Sequence, residues 1–468
     1  MKPVTMKHER PAEPFLGETA AVLDPALVRE VKGWVGLAVA ALAAAGFLAL
    51  LAVMARTPGL RDLLPWPWQE IFPKVVITHV DLSIILWFLS VLGAMVVLAT
   101  ARTTRGKLRQ RSLGGAGLGM TVMGSVLLVA PALFNWGEAS LNNYVPVLIH
   151  PVFYAGLVGI AVGVATVILR LLLNLPGNRI GPFEHGVAAT GVTFLVALAC
   201  FGLAWAALPP GTDPALANER LFWGGGHLLQ FVNTMLMLVA WQILAEQAVG
   251  VVPSRLFVAA MWVLAAAAWP GIALYGAFDV LGREHREAFT QLLWYGLLLP
   301  PAVMMVETVV NLIRARQRLA WGETPGLALL LSLVLFSAGG GLGYFLGVGD
   351  TRTPSHYHAV IGGVNLAVMG LVFTLFLPLL QKQRPTARTT RWPLLLYGGG
   401  QLAFSLGLFA AGLMGVPRKT AGLDQGLDTT AKSLYMAVYG AGGMVAVVGG
   451  ILFVWMAASR LLFRRGER

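Results

Sequence analysis

The sequence predicts an all-α integral membrane protein, a bundle of twelve transmembrane helices, and three observations carry that reading. Hydrophobic residues fill 57% of the 468 positions and charged residues only 12%, whereas a soluble domain is charged at about a quarter of its positions. A spanning helix needs roughly 20 apolar residues, and such stretches recur near residues 44, 87, 124, 158, 196, 235, 266, 300, 335, 368, 403 and 446. The connections are short and rich in Pro, Gly and charge, as in Arg179-Ile180-Gly181-Pro182, so no soluble domain fits between spans.

Along the chain, residues 1–32 read as a polar N-terminal segment and 33–468 as one membrane domain. The segment lacks the basic start, short apolar run and cleavage site of a secretory signal, so the first helix is expected to be kept. The net charge of +12 does not point to nucleic acid, because the basic residues sit in short loops without an interleaved aromatic patch. They crowd alternate connections: Arg102 to Arg111, Arg170 and Arg179, Arg314 to Arg318, Lys382 to Arg391, and Arg460 to Arg468. The positive-inside rule then places both termini in the cytoplasm of a bacterial-type plasma membrane, with lipid as the surrounding partner. The single Cys200 excludes an internal disulfide and a Cys-based metal site, and reads as a small buried hydrophobe.

Seven of the eight histidines lie beyond the polar tail that holds His8. His79 follows Lys74 into the second span, His227 follows Arg220 into the sixth, and His356 and His358 follow Arg352 into the tenth. All four are expected within two turns of the outer surface, so imidazoles from three helices meet at one level. Each polar side chain there is costly in a bilayer and is read as functional. In His356-Tyr357-His358 the two rings are separated by about 200° of helical rotation and leave opposite faces. Imidazole is a good axial haem ligand, so one helix can serve two irons. His150 is expected about two turns into the fourth span, as an interhelix hydrogen-bonding group, a haem-edge donor or a substitute ligand. His285, in the charged run Arg283 to Glu287, is expected in a solvated loop, with folding back toward the sites as the alternative. His185 falls at the cytoplasmic end, too far to be a ligand. Asp81 and Glu307 are the notable intramembrane acids.

Several motifs, in order, resemble the catalytic subunit of the haem-copper oxidase and nitric oxide reductase superfamily, that is, cytochrome c oxidase subunit I. Thr78-His79-Val80-Asp81 resembles the second-helix haem motif, and Asn143-Tyr144-Val145-Pro146-Val147-Leu148 resembles the approach to the fourth helix. Leu221-Phe222-Trp223 with Gly226-His227 resembles the sixth-helix metal motif. Asp350-Thr351 with His356-Tyr357-His358 resembles D-T…H-x-H, and Gly415-Val416-Pro417-Arg418-Lys419 resembles the propionate-gripping G-x-P-R-R loop.

The resemblance implies two haems: a low-spin one on His79 and His358, and a high-spin one on His356. His227 is implied as first ligand of the non-haem metal, and Arg418 and Lys419, with Asp350, at the haem edge. It further implies an electron-donating subunit, cytochrome c or cupredoxin-like, since one cysteine cannot make the C-x-x-C-H attachment motif.

The pattern breaks at the seventh helix, where the family's His-His pair is replaced by Trp269-Pro270-Gly271-Ile272-Ala273-Leu274-Tyr275-Gly276. One imidazole does not hold copper tightly, so copper or non-haem iron is not expected to be firmly bound. Phe231 occupies the position of the oxidases' tyrosine, which leaves Tyr275 as the candidate phenol. The function expected is a respiratory oxidoreductase reducing dioxygen or nitric oxide, with a haem electron-transfer or gas-sensing protein of the same fold as the alternative and a proton-coupled transporter ranked behind both.

Overall fold

The computed structural model describes residues 14–463, apart from 61, 62, 64–66, 252, 253, 319 and 321. His8 and the last arginines therefore lie outside the described residues. Among the described residues, twelve helices are long and apolar enough to cross a membrane. In chain order they are span one (Pro25–Arg56), two (Glu70–Thr104), three (Arg111–Leu133), four (Pro151–Asn174), five (Pro182–Ala207), six (Pro214–Val249), seven (Arg255–Ala277), eight (Arg283–Arg314), nine (Thr324–Phe345), ten (Arg352–Leu379), eleven (Ala387–Leu413) and twelve (Thr430–Leu462).

Several starts follow local rules. Asp24 and Asp213 cap spans one and six by accepting backbone N–H bonds, each followed by a proline at the first helical position. A two-stranded hairpin, Glu138–Ser140 against Val147–Ile149, closes the connection into span four.

The N-terminal boundary differs from the sequence expectation. Span one starts at Pro25 rather than near residue 33, and residues Pro14–Val22 already form a short helix. That helix is tied to the bundle by polar contacts: Phe15 N–H donates to Glu246, and Arg102 of span two reaches Thr19, Glu18 and Glu184. These contacts join a segment of polar composition to spans two and six.

Burial sorts the spans into an inner and an outer set. In spans two, six and ten, 94%, 83% and 89% of the apolar window is buried inside the protein, against 28% to 61% elsewhere. These three inner helices carry His79, His227, and His356 with His358. Two of them contain a widened π-helical stretch, Asp81–Leu86 directly after His79 and Val372–Phe376 in span ten. Such stretches recur at functional sites, and here Ser83 Oγ donates to the His79 carbonyl at 2.7 Å.

Spans one and four are joined by a buried ion pair. Arg170 is fully buried and directs Nη1 and Nη2 onto the two oxygens of Glu30, at 3.0 and 2.5 Å. Gly114 of span three leaves the room, since a Cβ there would come 2.0 Å from Arg170 Nη1. Removing one partner strands the other charge, so Arg170→Met is expected to cost about 3–5 kcal/mol. Unfolding in detergent micelles measures this, and Arg170→Met combined with Glu30→Leu is expected to recover most of the loss. Wild-type stability in the single variant would show that the pair contributes nothing.

Candidate functional site

The histidine-bearing end of the bundle is where the even-numbered spans begin. His79 lies in span two and its Nδ1 is 2.9 Å from the Ala45 carbonyl of span one. A carbonyl only accepts, so Nδ1 carries the proton and Nε2 keeps its lone pair. His356 repeats this arrangement, with Nδ1 2.7 Å from the Gly339 carbonyl of span nine. Gly343 permits the approach, because a Cβ there would lie 2.8 Å from His356 Nδ1. An imidazole fixed through one ring nitrogen to a carbonyl presents the other to a metal in a set direction.

His358 leaves the opposite face of span ten, as the two-residue spacing requires. It packs on Phe404 of span eleven at 4.6 Å between ring centroids. It makes no hydrogen bond among the described residues, and neither ring nitrogen is sealed off. His358 and His79 lie within each other's electrostatic reach. Both residues are half-buried.

Arg56, at the end of span one, borders the same region. It is 6% exposed, its Nη2 donates to the Pro417 carbonyl at 3.1 Å, and its guanidinium lies 5.7 Å from the Tyr439 ring centroid. The sequence reading passed over it; the available signal was a lone cation closing an apolar run.

The loop Gly415 to Lys419 is held against the start of span ten. Thr351 N–H donates to the Val416 carbonyl and Arg418 N–H to the Gly349 carbonyl, both at 3.0 Å. The Asp350 carboxylate is turned onto Arg352, with Nη2 at 2.8 Å, while its backbone pairs with Pro417 of the loop. Burial opposes ionisation of Asp350, but hydrogen bonds from the Arg352 side chain and backbone, with the charges of Arg352 and Arg418, hold its carboxyl below the ordinary value. Arg418 makes no side-chain hydrogen bond or ion pair among the described residues, so its guanidinium donors are available. Lys419 instead turns its ammonium to the Leu141 carbonyl and Asn143 Oδ1. Burial and the neighbouring Arg418 push its pKa down to about 8.

His227 sits further along its helix than expected. Span six begins at Pro214 and the helix bearing His79 at Trp68, so these histidines lie thirteen and eleven residues in rather than within two turns. The helices extend outward beyond Arg220 and Lys74. His227 Nδ1 is 2.7 Å from the Trp223 carbonyl, and Nε2 is 2.9 Å from the Tyr144 hydroxyl.

The phenol hydrogen-bonded to His227 is thus Tyr144, not Tyr275. The Tyr275 hydroxyl has no hydrogen-bond partner among the described residues, and its ring packs on His285 at 4.8 Å and Phe289 at 5.6 Å. His285 is fully buried in the first turn of span eight, with neither nitrogen hydrogen-bonded among the described residues, rather than solvated in a loop. His150 caps span four, accepting from Val152 N–H at 3.3 Å and stacking on Trp136 at 5.2 Å; it does not lie two turns into the helix. His185 accepts from Trp262 Nε1 at the opposite end. Asp81 is fully buried with both oxygens unpartnered among the described residues, and Cys200 is buried.

The family model for cytochrome C and quinol oxidase polypeptide I matches residues 30–456. The chain belongs to that family. Among relatives, a protein of Rickettsia prowazekii is 25% identical over 93% of this chain and 97% of its own length. A protein of Aquifex aeolicus is 30% identical, over 73% of this chain and 83% of its own length. Cytochrome c oxidase subunit 1 of Thermus thermophilus is 24% identical over 74% and 68%. The fold matches a solved heme-copper terminal oxidase dimer with a TM-score of 0.78 over 95% of this chain and 86% of that one, at 16% identity.

Membership of the polypeptide I family makes this a subunit I-type, multi-pass membrane protein of a respiratory oxidoreductase family whose members generally bind haems. Within that family this member has no histidine between Trp269 and Gly276.

Proposed function

We propose that the protein is a haem-containing respiratory membrane oxidoreductase that reduces dioxygen or nitric oxide. His79 and His358 would hold a low-spin haem and His356 a high-spin haem, with His227 facing the open side of the second. The single observation behind this is that His79 and His356, on two inner spans, each turn Nδ1 onto a carbonyl of a neighbouring span and so keep the Nε2 lone pair free. When bound, the haems supply one-electron transfer and an open iron face for a gas.

The remaining work falls to the chain. Ala45 and Gly339 fix two imidazoles through their carbonyls, Arg418 offers its donors to a propionate, and Asp350 and Lys419 brace the loop that carries it. Electrons come from a separate subunit, cytochrome c or cupredoxin-like, because the one cysteine makes no attachment site. The alternate basic connections support a bacterial-type plasma membrane with both termini in the cytoplasm.

A second reading, a haem electron-transfer or gas-sensing protein without a working non-haem metal, is favoured by one observation: both nitrogens of His227 are already hydrogen-bonded. Visible spectra, haem quantification and gas uptake with an artificial donor separate the readings. The proposal expects a Soret band, two haems per chain, and consumption of oxygen or nitric oxide. Haem without consumption of either gas would favour the second reading, and no Soret band would return the protein to the transporter class.

A further inference from the structure

The contact between Tyr144 and His227 is built at the level of the backbone. Tyr144 has a φ of 66°, in the left-handed region that side chains with a Cβ rarely adopt. Gly226, directly before His227, gives it room: a Cβ there would lie 2.4 Å from the Tyr144 Cβ. The segment around Tyr144 is pinned on both sides. Asn142 donates to the Val145 carbonyl, and Asn143 gives its backbone and side-chain N–H groups to the Glu219 carboxylate at 2.9 and 2.7 Å. Lys419 holds the Leu141 carbonyl.

The hydrogen-bond chemistry then fixes the state of His227. The Trp223 carbonyl can only accept, so Nδ1 carries the ring proton and Nε2 holds the remaining lone pair. That lone pair accepts from the Tyr144 hydroxyl. A non-haem metal at His227 would need this same lone pair and further nitrogen ligands in a fixed array. Span seven supplies no histidine at 269–276. His285 reaches the region, but its ring and that of His227 pack on the same Phe289, at 5.0 and 5.9 Å, an apolar ring where ligands would be required. Among the described residues no cluster of three or more His, Cys, Asp or Glu is arranged to hold a metal. The residues present do not fit the family's third metal.

We propose that a hydrogen-bonded Tyr144–His227 pair stands in place of the non-haem metal, and that this pair faces the gas at the high-spin haem. The inference rests on the haem assignment above and adds the chemical nature of its distal side: phenol and imidazole instead of a metal cation. Bound carbon monoxide probes this directly, because its stretching frequency responds to the dipoles beside it, which a tyrosine with only a structural role elsewhere would leave unchanged.

The test uses the purified holoprotein from cells supplied with copper and iron. Elemental analysis is expected to give iron equal to haem and no copper; stoichiometric copper, or iron in excess of haem, would overturn the proposal while leaving the haem assignment intact. In the reduced protein, Tyr144→Phe is expected to shift the infrared band of bound carbon monoxide. Gly226→Ala, which drives Tyr144 away while keeping its phenol, is expected to shift it in the same direction, and either variant that folds suffices. An unchanged band would overturn the assignment of the pair to the gas-binding side. Absence of any haem would instead defeat the functional reading itself, and this proposal with it.

Discussion

His358→Ala is expected to reduce the haem content from two per chain to one, removing the low-spin signal and sparing the high-spin one. A haem held between two imidazoles would lose one of its two axial bonds, and His79 alone would hold it too weakly to be retained through purification. His358 is the better of the two histidines to replace. It makes no hydrogen bond among the described residues, so its loss leaves no stranded partner, and its neighbour Phe404 can relax into the space. His79→Ala should lose the same signal but also frees the Ala45 carbonyl, adding a small stability cost of about 1 kcal/mol. Haem quantification and reduced-minus-oxidised spectra check both variants. Retention of the low-spin band in either would remove that histidine from the assignment.

The reach of the sequence had a physical limit. Span number was legible because crossing a bilayer demands length and apolarity together. Which spans lie inside was not. Spans one and two have the same mean hydropathy of 2.6, yet 28% of one window is buried and 94% of the other. Lipid tails are as apolar as a protein core, so hydropathy cannot tell the two environments apart. The histidines carried that information instead, since polar groups are kept on inner faces.

The individual side chains divide in the same way. The placement of His79 on an inner span, and of His356 and His358 on opposite faces of another, was legible from spacing. Tyr144 was visible as part of a motif, but its bond to His227 depends on a left-handed backbone and on Gly226 lying against it in space. His150 and His285 were misplaced because a histidine beside a helix start can cap it, enter it or remain in the loop, and composition does not choose. Asp213-Pro214, by contrast, did announce the true start of span six, and would have set the depth of His227 correctly.

His356→Ala is expected to abolish the carbon monoxide difference spectrum while leaving the low-spin haem in place. The two histidines of span ten face different neighbours: His356 is fixed to span nine through Gly339, and His358 packs toward span eleven and His79. Loss of one should therefore not propagate to the other, although only one residue separates them. The cavity left by the imidazole is bordered by Gly339 and Gly343, small residues that do not collapse into it. Exogenous imidazole is accordingly expected to re-enter, accept the iron and donate to the Gly339 carbonyl, restoring part of the carbon monoxide signal. A structural histidine would show neither the selective loss nor the rescue. Persistence of the full signal in His356→Ala would place the gas-binding iron on another residue, and the opposite-face argument for His356-Tyr357-His358 would fail with it.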